Sequence, residues 1–117
     1  MLMGLGSLST VGLQQPKNLA VVVLDNEHFG ETGMQTTHTA TSVNLAEIAR
    51  ASGISSSWTV RESSEISTTR EKLLHEEGPL FCGIKVRAET LPLVLPPKEG
   101  EILQKRFRNA LMNENGV

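Results

Sequence analysis

Between Val21 and Thr39 the chain reads VVVLDNEHFGETGMQTTHT, which sets three carboxylates (Asp25, Glu27, Glu31), an amide (Asn26) and two imidazoles (His28, His38) in a short span. Asn26 stands directly after an uninterrupted apolar run. Its side-chain oxygen is neutral, and carbonyls of an irregular loop can add more of the same kind. Mg²⁺ takes such oxygens together with carboxylate and phosphate oxygens. Gly30 and Gly33 let backbone come close to a bound group, and free N–H groups in such a loop can receive phosphate. Asn at a strand exit is more often simply a turn former, so residue type alone is weak evidence for a metal. A zinc site does not fit. His28 and His38 are ten apart with no third ligand nearby, and His75 falls in a charged helical stretch. The run GLGSLSTVG is not a dinucleotide fingerprint, since its glycines are wrongly spaced and no strand precedes it. No G-x-S-x-G elbow occurs.

The elements that must position this loop follow from pattern. Leu2, Leu5 and Leu8 recur every three residues with Val11 on the same face, and Pro16 closes the segment, which predicts a helix over 2–14. Gly4, Gly6 and Gly12 weaken it, by up to about 1 kcal/mol each, unless another backbone or a ligand comes close. LAVVVL (19–24) is β-branched and apolar on both faces, as expected for a strand in the middle of a parallel sheet. The loop 25–42 follows and is long for a connection. Asn44 with Glu47 predicts a capping box, Val43 with Ile48 a staple, and the helix ends at Gly53. A strand is expected over 56–62, then a helix over 63–78 with Ile66, Arg70, Leu73 and Leu74 on one side. A strand over 79–87, a Pro-rich link over 90–97 and a helix carrying Leu103, Phe107, Ala110 and Leu111 complete the chain. The order α-β-α-β-α-β-α predicts an α/β fold of three layers, a parallel sheet with helices on both faces. Ligands in such sheets bind beyond the carboxyl ends of the strands, which is where the Asn26 loop begins.

Composition sets the boundaries. With 117 residues, 38% apolar and 21% charged, the chain is long enough for one core. A net charge of −2 gives no bulk attraction to nucleic acid or anionic membrane, and neither is expected as a partner. The basic residues Lys98, Lys105, Arg106 and Arg108 are diluted by Glu99, Glu101 and Glu114 and read as a solvated helix face. The single cysteine, Cys82, lies in an apolar run, suits packing, and fits a reducing compartment. No apolar stretch reaches membrane-helix length, and MLMGLGSLSTVG lacks the basic start of a signal peptide. A cytoplasmic location is expected.

The run from Met1 to Thr37 resembles the cofactor-binding domain of thiamine diphosphate-dependent enzymes, within the sulfopyruvate and phosphonopyruvate decarboxylase branch. The similar segments are GSLSTVG, NLAVVVLDN and TGMQTT, and further on NLAEIARASG, GPLFCGIKV and LPLVLPP. LDN…GETGMQ is the most specific of them. The resemblance implies that Asn26 ligates Mg²⁺, and that the main-chain carbonyl of His28, rather than its ring, completes the metal shell. It implies that Phe29 and Gly30 lie against the diphosphate, and that Thr32, Gly33 and Gln35 belong to the segment covering the cofactor. Asp25 fills the first position of the family's Asn-Asn or Asp-Asn pair.

The family motif begins with Gly-Asp-Gly, and on the family pattern this element falls just before Met1. Residues 1–117 are therefore expected to be the C-terminal part of the diphosphate-binding domain, without Gly-Asp-Gly and without the pyrimidine-binding domain. The implied function is a share in a thiamine diphosphate- and Mg²⁺-dependent 2-oxo acid decarboxylase. The implied partner is a pyrimidine-binding domain or subunit in a homo- or hetero-oligomer. Alone, the chain is expected to be inactive, to bind the cofactor poorly, and to self-associate or need its missing half. The alternative is a non-catalytic α/β partner or regulatory module, or a degraded fragment without activity.

Overall fold

A computed structural model describes residues 1–114. Three parallel strands form the sheet: β1 (Ala20–Asp25), β4 (Ser56–Val60) and β5 (Leu80–Lys85), in the order β1-β5-β4. Two short strands, β2 (His28–Phe29) and β3 (Gln35–Thr36), make an antiparallel hairpin. The helices are α1 (Gly6–Gln14), α2 (Leu45–Ala51), α3 (Ile66–His75) and α4 (Gly100–Glu114). The expected alternation is present, with two refinements at the start of helices. Residues Leu2–Gly4 form a 3₁₀ turn ahead of α1, and Ser63–Glu65 form another ahead of α3.

The register puts Val21, Val23 and Asp25 on the same side as Phe81, Gly83 and Lys85. The core gathers on that face, where Leu8 of α1 and Leu45, Ala46 and Ala49 of α2 pack with Ile54 and Phe81. Leu2, Leu5, Val11, Val43 and Ile48 close around it. On the opposite face the Trp58 ring nitrogen donates to the Thr69 hydroxyl at 3.3 Å, and Lys72 lies 5.4 Å from the ring centre, which places α3 there. Helices thus cover both faces. The chain passes from β1 over β5 to β4 by way of α2 and returns to β5 by way of α3. Reversing direction within the sheet carries the second crossover to the other face when both are right-handed.

Close approach explains one helix glycine. A Cβ on Gly12 would overlap the Ser52 carbonyl, and Gly53, in the left-handed region at φ 99°, backs onto the Gly12 main chain. Gly4 and Gly6 have open space around them. Gln15, left-handed at the end of α1, donates its amide to the Gly53 carbonyl at 2.8 Å and fastens the same contact.

Several expectations are corrected. Among the described residues β1 is an edge strand and β5 the central one. One face of β1 is left open, with Val22 45% and Leu24 69% exposed. On that face Val60, Leu80 and Cys82 of β4 and β5 are buried, and the contacts of α3 fall on Trp58 of β4, away from β1. The long loop 25–42 is built, carrying the β2–β3 hairpin and 3₁₀ turns at Gly30–Thr32 and His38–Ala40. On α3 the buried residue is Thr69, while Ile66 and Leu74 are exposed. α4 forms over its expected stretch, supported by the Glu101–Lys105 pair one turn apart. Its apolar side is not buried, and Phe107 is 69% exposed. No helix among the described residues is long and apolar enough to cross a membrane.

Candidate functional site

The chemistry-bearing loop leaves the carboxyl end of β1, where Asp25 is the last strand residue. The Asp25 side chain turns to the α1/α2 face and meets the ammonium of Lys85, its register partner on β5, at 2.9 Å. The same ammonium reaches the Glu27 carboxylate at 2.5 Å and the Thr39 carbonyl at 3.0 Å. Asp25 Oδ1 accepts from the Thr39 hydroxyl at 2.8 Å and from the Glu27 N–H at 3.0 Å. Thr37 and Thr39, both buried, share a hydroxyl hydrogen bond of 2.7 Å. Burial works against ionising Asp25, but the bonds from Lys85, Thr39 and the Glu27 N–H outweigh it and hold the carboxyl below its usual range. Burial likewise pulls Lys85 down, and the two carboxylates more than reverse it. Both groups are charged at neutral pH.

Asn26 sits between the two carboxylates in sequence and carries its own contacts. Its Oδ1 accepts the His28 N–H at 3.1 Å, and its carbonyl lies 2.9 Å from His28 Nδ1. The Glu27 carbonyl accepts from Thr37 N–H across the hairpin at 2.8 Å. His28 and Thr36 are thus a pair without mutual backbone bonds, and the His28 carbonyl turns away from the partner strand. Asn26, His28 and Phe29 line one cavity of about 180 Å³ together with Met1, Leu2 and Val23. Gly30 adjoins Asn26, since a Cβ there would lie 4.0 Å from Asn26 Nδ2 and 3.9 Å from Met34 Sδ. Thr32 stands apart at the hairpin tip, with its hydroxyl donating to Gln35 Oε1 at 3.1 Å and its carbonyl accepting from Gln35 Nε2 at 2.8 Å. A second cavity of about 190 Å³ opens over the ends of all three strands, among Lys85, Thr59, Arg61, Ser42 and Asn44. Asp25, Thr39 and Leu45 line both cavities and form the wall between them.

The model of the thiamine pyrophosphate enzyme C-terminal TPP-binding domain matches residues 1–84, which include the Asn26 loop. The chain belongs to this family. Among curated relatives, proteins named sulfopyruvate decarboxylase subunit beta are similar. The one from Methanocaldococcus jannaschii is 37% identical over 117 residues, covering 94% of this chain and 58% of the relative. The one from Methanococcus maripaludis is 34% identical over 113 residues with the same coverage. A phosphonopyruvate decarboxylase of Streptomyces viridochromogenes is 34% identical over 112 residues, covering 92% of this chain and 27% of that protein. The chain therefore spans a little over half the length of the first of these relatives.

Asn26 Oδ1 and the His28 carbonyl are both neutral oxygens, of the kind a hard cation could take. Asn26 Oδ1 retains a lone pair beyond the one it gives to His28. The described residues contain no group of three or more His, Cys, Asp or Glu side chains that could hold an ion. Asp25 and Glu27, the nearest carboxylates in sequence, are committed to Lys85. This donor set fits a hard cation that arrives with diphosphate oxygens of its own. Lys85, Thr37 and Thr39 were not singled out by pattern. The available signal was that two apolar strands end in opposite charges, which become neighbours if the strands pair in parallel.

Proposed function

We propose that this chain forms the diphosphate- and Mg²⁺-binding part of a thiamine diphosphate-dependent 2-oxo acid decarboxylase, with a sulfopyruvate- or phosphonopyruvate-like substrate. The observation that carries the reading is that Asn26, His28 and Phe29 come together at the carboxyl end of β1 beside one cavity, in a chain of this family. When bound, thiamine diphosphate would supply a carbon nucleophile for a 2-oxo acid and an electron sink for loss of CO₂. The part of this chain is to hold. Asn26 and the His28 carbonyl ligate Mg²⁺, the backbone at Phe29 and Gly30 lies against the diphosphate, and Thr32 belongs to the segment above it. The pyrimidine end of the cofactor falls to another domain or subunit, in keeping with relatives named as beta subunits, and the remaining metal ligand to the family's Gly-Asp-Gly element. A complete, hetero- or homo-oligomeric enzyme in the cytoplasm is the setting proposed.

Two neutral protein ligands make for weak binding by the chain alone, so the test must register millimolar affinity. Amide resonances of the ¹⁵N-labelled chain are followed while Mn²⁺, standing in for Mg²⁺, is added with thiamine diphosphate. Broadening strongest at residues 26–30, falling off with distance from them and dependent on both components, is the expected result. Broadening that ignores thiamine diphosphate, or falls elsewhere, would sink the proposal and leave the non-catalytic α/β module as the better reading.

A further inference from the structure

The ammonium of Lys85 has three protons and three acceptors: Asp25 Oδ2, Glu27 Oε1 and the Thr39 carbonyl. Two of these belong to the residues immediately before and after Asn26. The Lys85 and Asp25 side chains are 18% and 11% exposed, so both are largely withdrawn from water. Lys85 itself is carried by the central strand, with a strand on each side and Phe81 and Cys82 fully buried a few residues earlier. We propose that Lys85 is the positioning residue of the Asn26 loop, a cation that grips both neighbours of Asn26 and so fixes where the Asn26 oxygen and the His28 carbonyl point. The proposal rests on the cofactor reading above for its purpose, but its geometry is independent of that reading.

Glu27 shows why a grip is needed. It is not glycine, yet its backbone lies in the left-handed region at φ 61°, a conformation that persists only where surroundings impose it. Three ties impose it here: its N–H to Asp25 Oδ1, its carbonyl to Thr37 N–H, and its carboxylate to Lys85. Releasing the last allows residue 27 to relax toward ordinary dihedrals. That turns the peptide between Asn26 and His28, and with it both proposed metal ligands. Neither carboxylate need touch the metal for this to matter. Partners that orient ligands commonly change metal affinity by about 10–100-fold when removed.

The test compares the full chain with Glu27→Gln, Lys85→Met and Lys85→Arg. Glu27→Gln leaves the Asp25–Lys85 pair in place, so it addresses the loop even if Lys85→Met fails to fold. Two readouts are taken: the Mn²⁺–thiamine diphosphate dissociation constant from broadening at residues 26–30, and amide exchange without ligand. Glu27→Gln is expected to weaken binding by about tenfold and to speed exchange over 26–37 while leaving β4 and α3 unchanged. Lys85→Met should do at least as much, with Lys85→Arg recovering most of the loss. Wild-type affinity together with wild-type exchange in Glu27→Gln would overturn the proposal. If the unmodified chain does not respond to Mn²⁺–thiamine diphosphate at all, the cofactor reading falls. Exchange in Glu27→Gln then still decides the grip: faster in 26–37 supports it, unchanged refutes it.

Discussion

Asp25 and Lys85, sixty residues apart in the chain, close the last rung of the β1–β5 ladder and meet at 2.9 Å. Both side chains are largely withdrawn from water; removing Lys85 leaves Asp25 charged, poorly solvated and without its counter-ion, and removing Asp25 leaves Lys85 with Glu27 as its one carboxylate. Asp25→Leu and Lys85→Met are each expected to cost about 2–4 kcal/mol of stability, below the range for fully buried pairs. The double substitution should cost less than the sum, with a coupling of about 1–3 kcal/mol. Urea unfolding of the four proteins measures it, and strictly additive losses would mean the pair is not coupled.

The second prediction concerns Gly12. With no room for a Cβ against the Ser52 carbonyl, Gly12→Ala must push α1 away from the end of α2. A gain in helix propensity of about 1 kcal/mol would be expected at an open site. Here a net loss of about 1–3 kcal/mol is expected instead. Gly6→Ala, in open space, supplies the control and should be neutral or stabilising. Thermal unfolding of both variants checks the contrast in sign.

At the proposed metal site the backbone and side-chain assignments separate cleanly. Asn26→Ala should weaken Mn²⁺–thiamine diphosphate binding at least about tenfold, or about 1.4 kcal/mol. His28→Ala keeps the carbonyl and should leave affinity close to that of the parent chain. Equal losses in both variants, read from amide broadening, would argue that the imidazole takes part.

The fourth prediction is a pH dependence. The Glu65 carboxylate accepts the N–H groups of Arg61 and Glu62, and these bonds hold it below its ordinary value. A carboxyl lowered in the folded state stabilises the fold above its unfolded pKa of about 4.3 and loses that effect as pH falls through the folded value. The difference in melting temperature between the parent and Glu65→Gln should therefore be present at pH 6–7 and shrink on acidification below about 4.3. A difference that stays constant with pH would show that the charge is irrelevant to this turn.

A fifth expectation follows from the open face of β1. Val22 and Leu24 are exposed side by side along a strand with one neighbour among the described residues. Exposed apolar strands at a sheet edge associate. Sedimentation velocity over a concentration series should show self-association that falls in Val22→Thr/Leu24→Ser. A concentration-independent monomer would remove the expectation.

Much of this molecule was legible from local pattern. Leucines three apart marked α1, cap and staple residues marked α2, a β-branched run marked β1, and Asn44 caps α2 through Ala46 and Glu47 N–H as its position suggests. The second half of that capping box did not form, because Glu47 pairs with Arg50 at 2.6 Å instead. A reciprocal box formed unannounced between Glu62 and Glu65. Local competition of this sort turns on a few tenths of a kcal/mol, which residue types do not resolve.

What the sequence determined by itself was the alternating α/β plan, the carboxyl end of β1 as the place for chemistry, and Asn26 as the residue to examine there. Each depends on neighbours within a few positions, or on a motif read as a string. Tertiary structure alone decided that β5 and not β1 is central, that β1 keeps an open face, and that the apolar side of α4 stays unburied. It alone joined Asp25 and Glu27 to Lys85. The order in which strands pair is set by which helices cover which faces, and two apolar runs carry no record of whether they will be neighbours. Only once β1 and β5 lie side by side in register do their terminal charges meet.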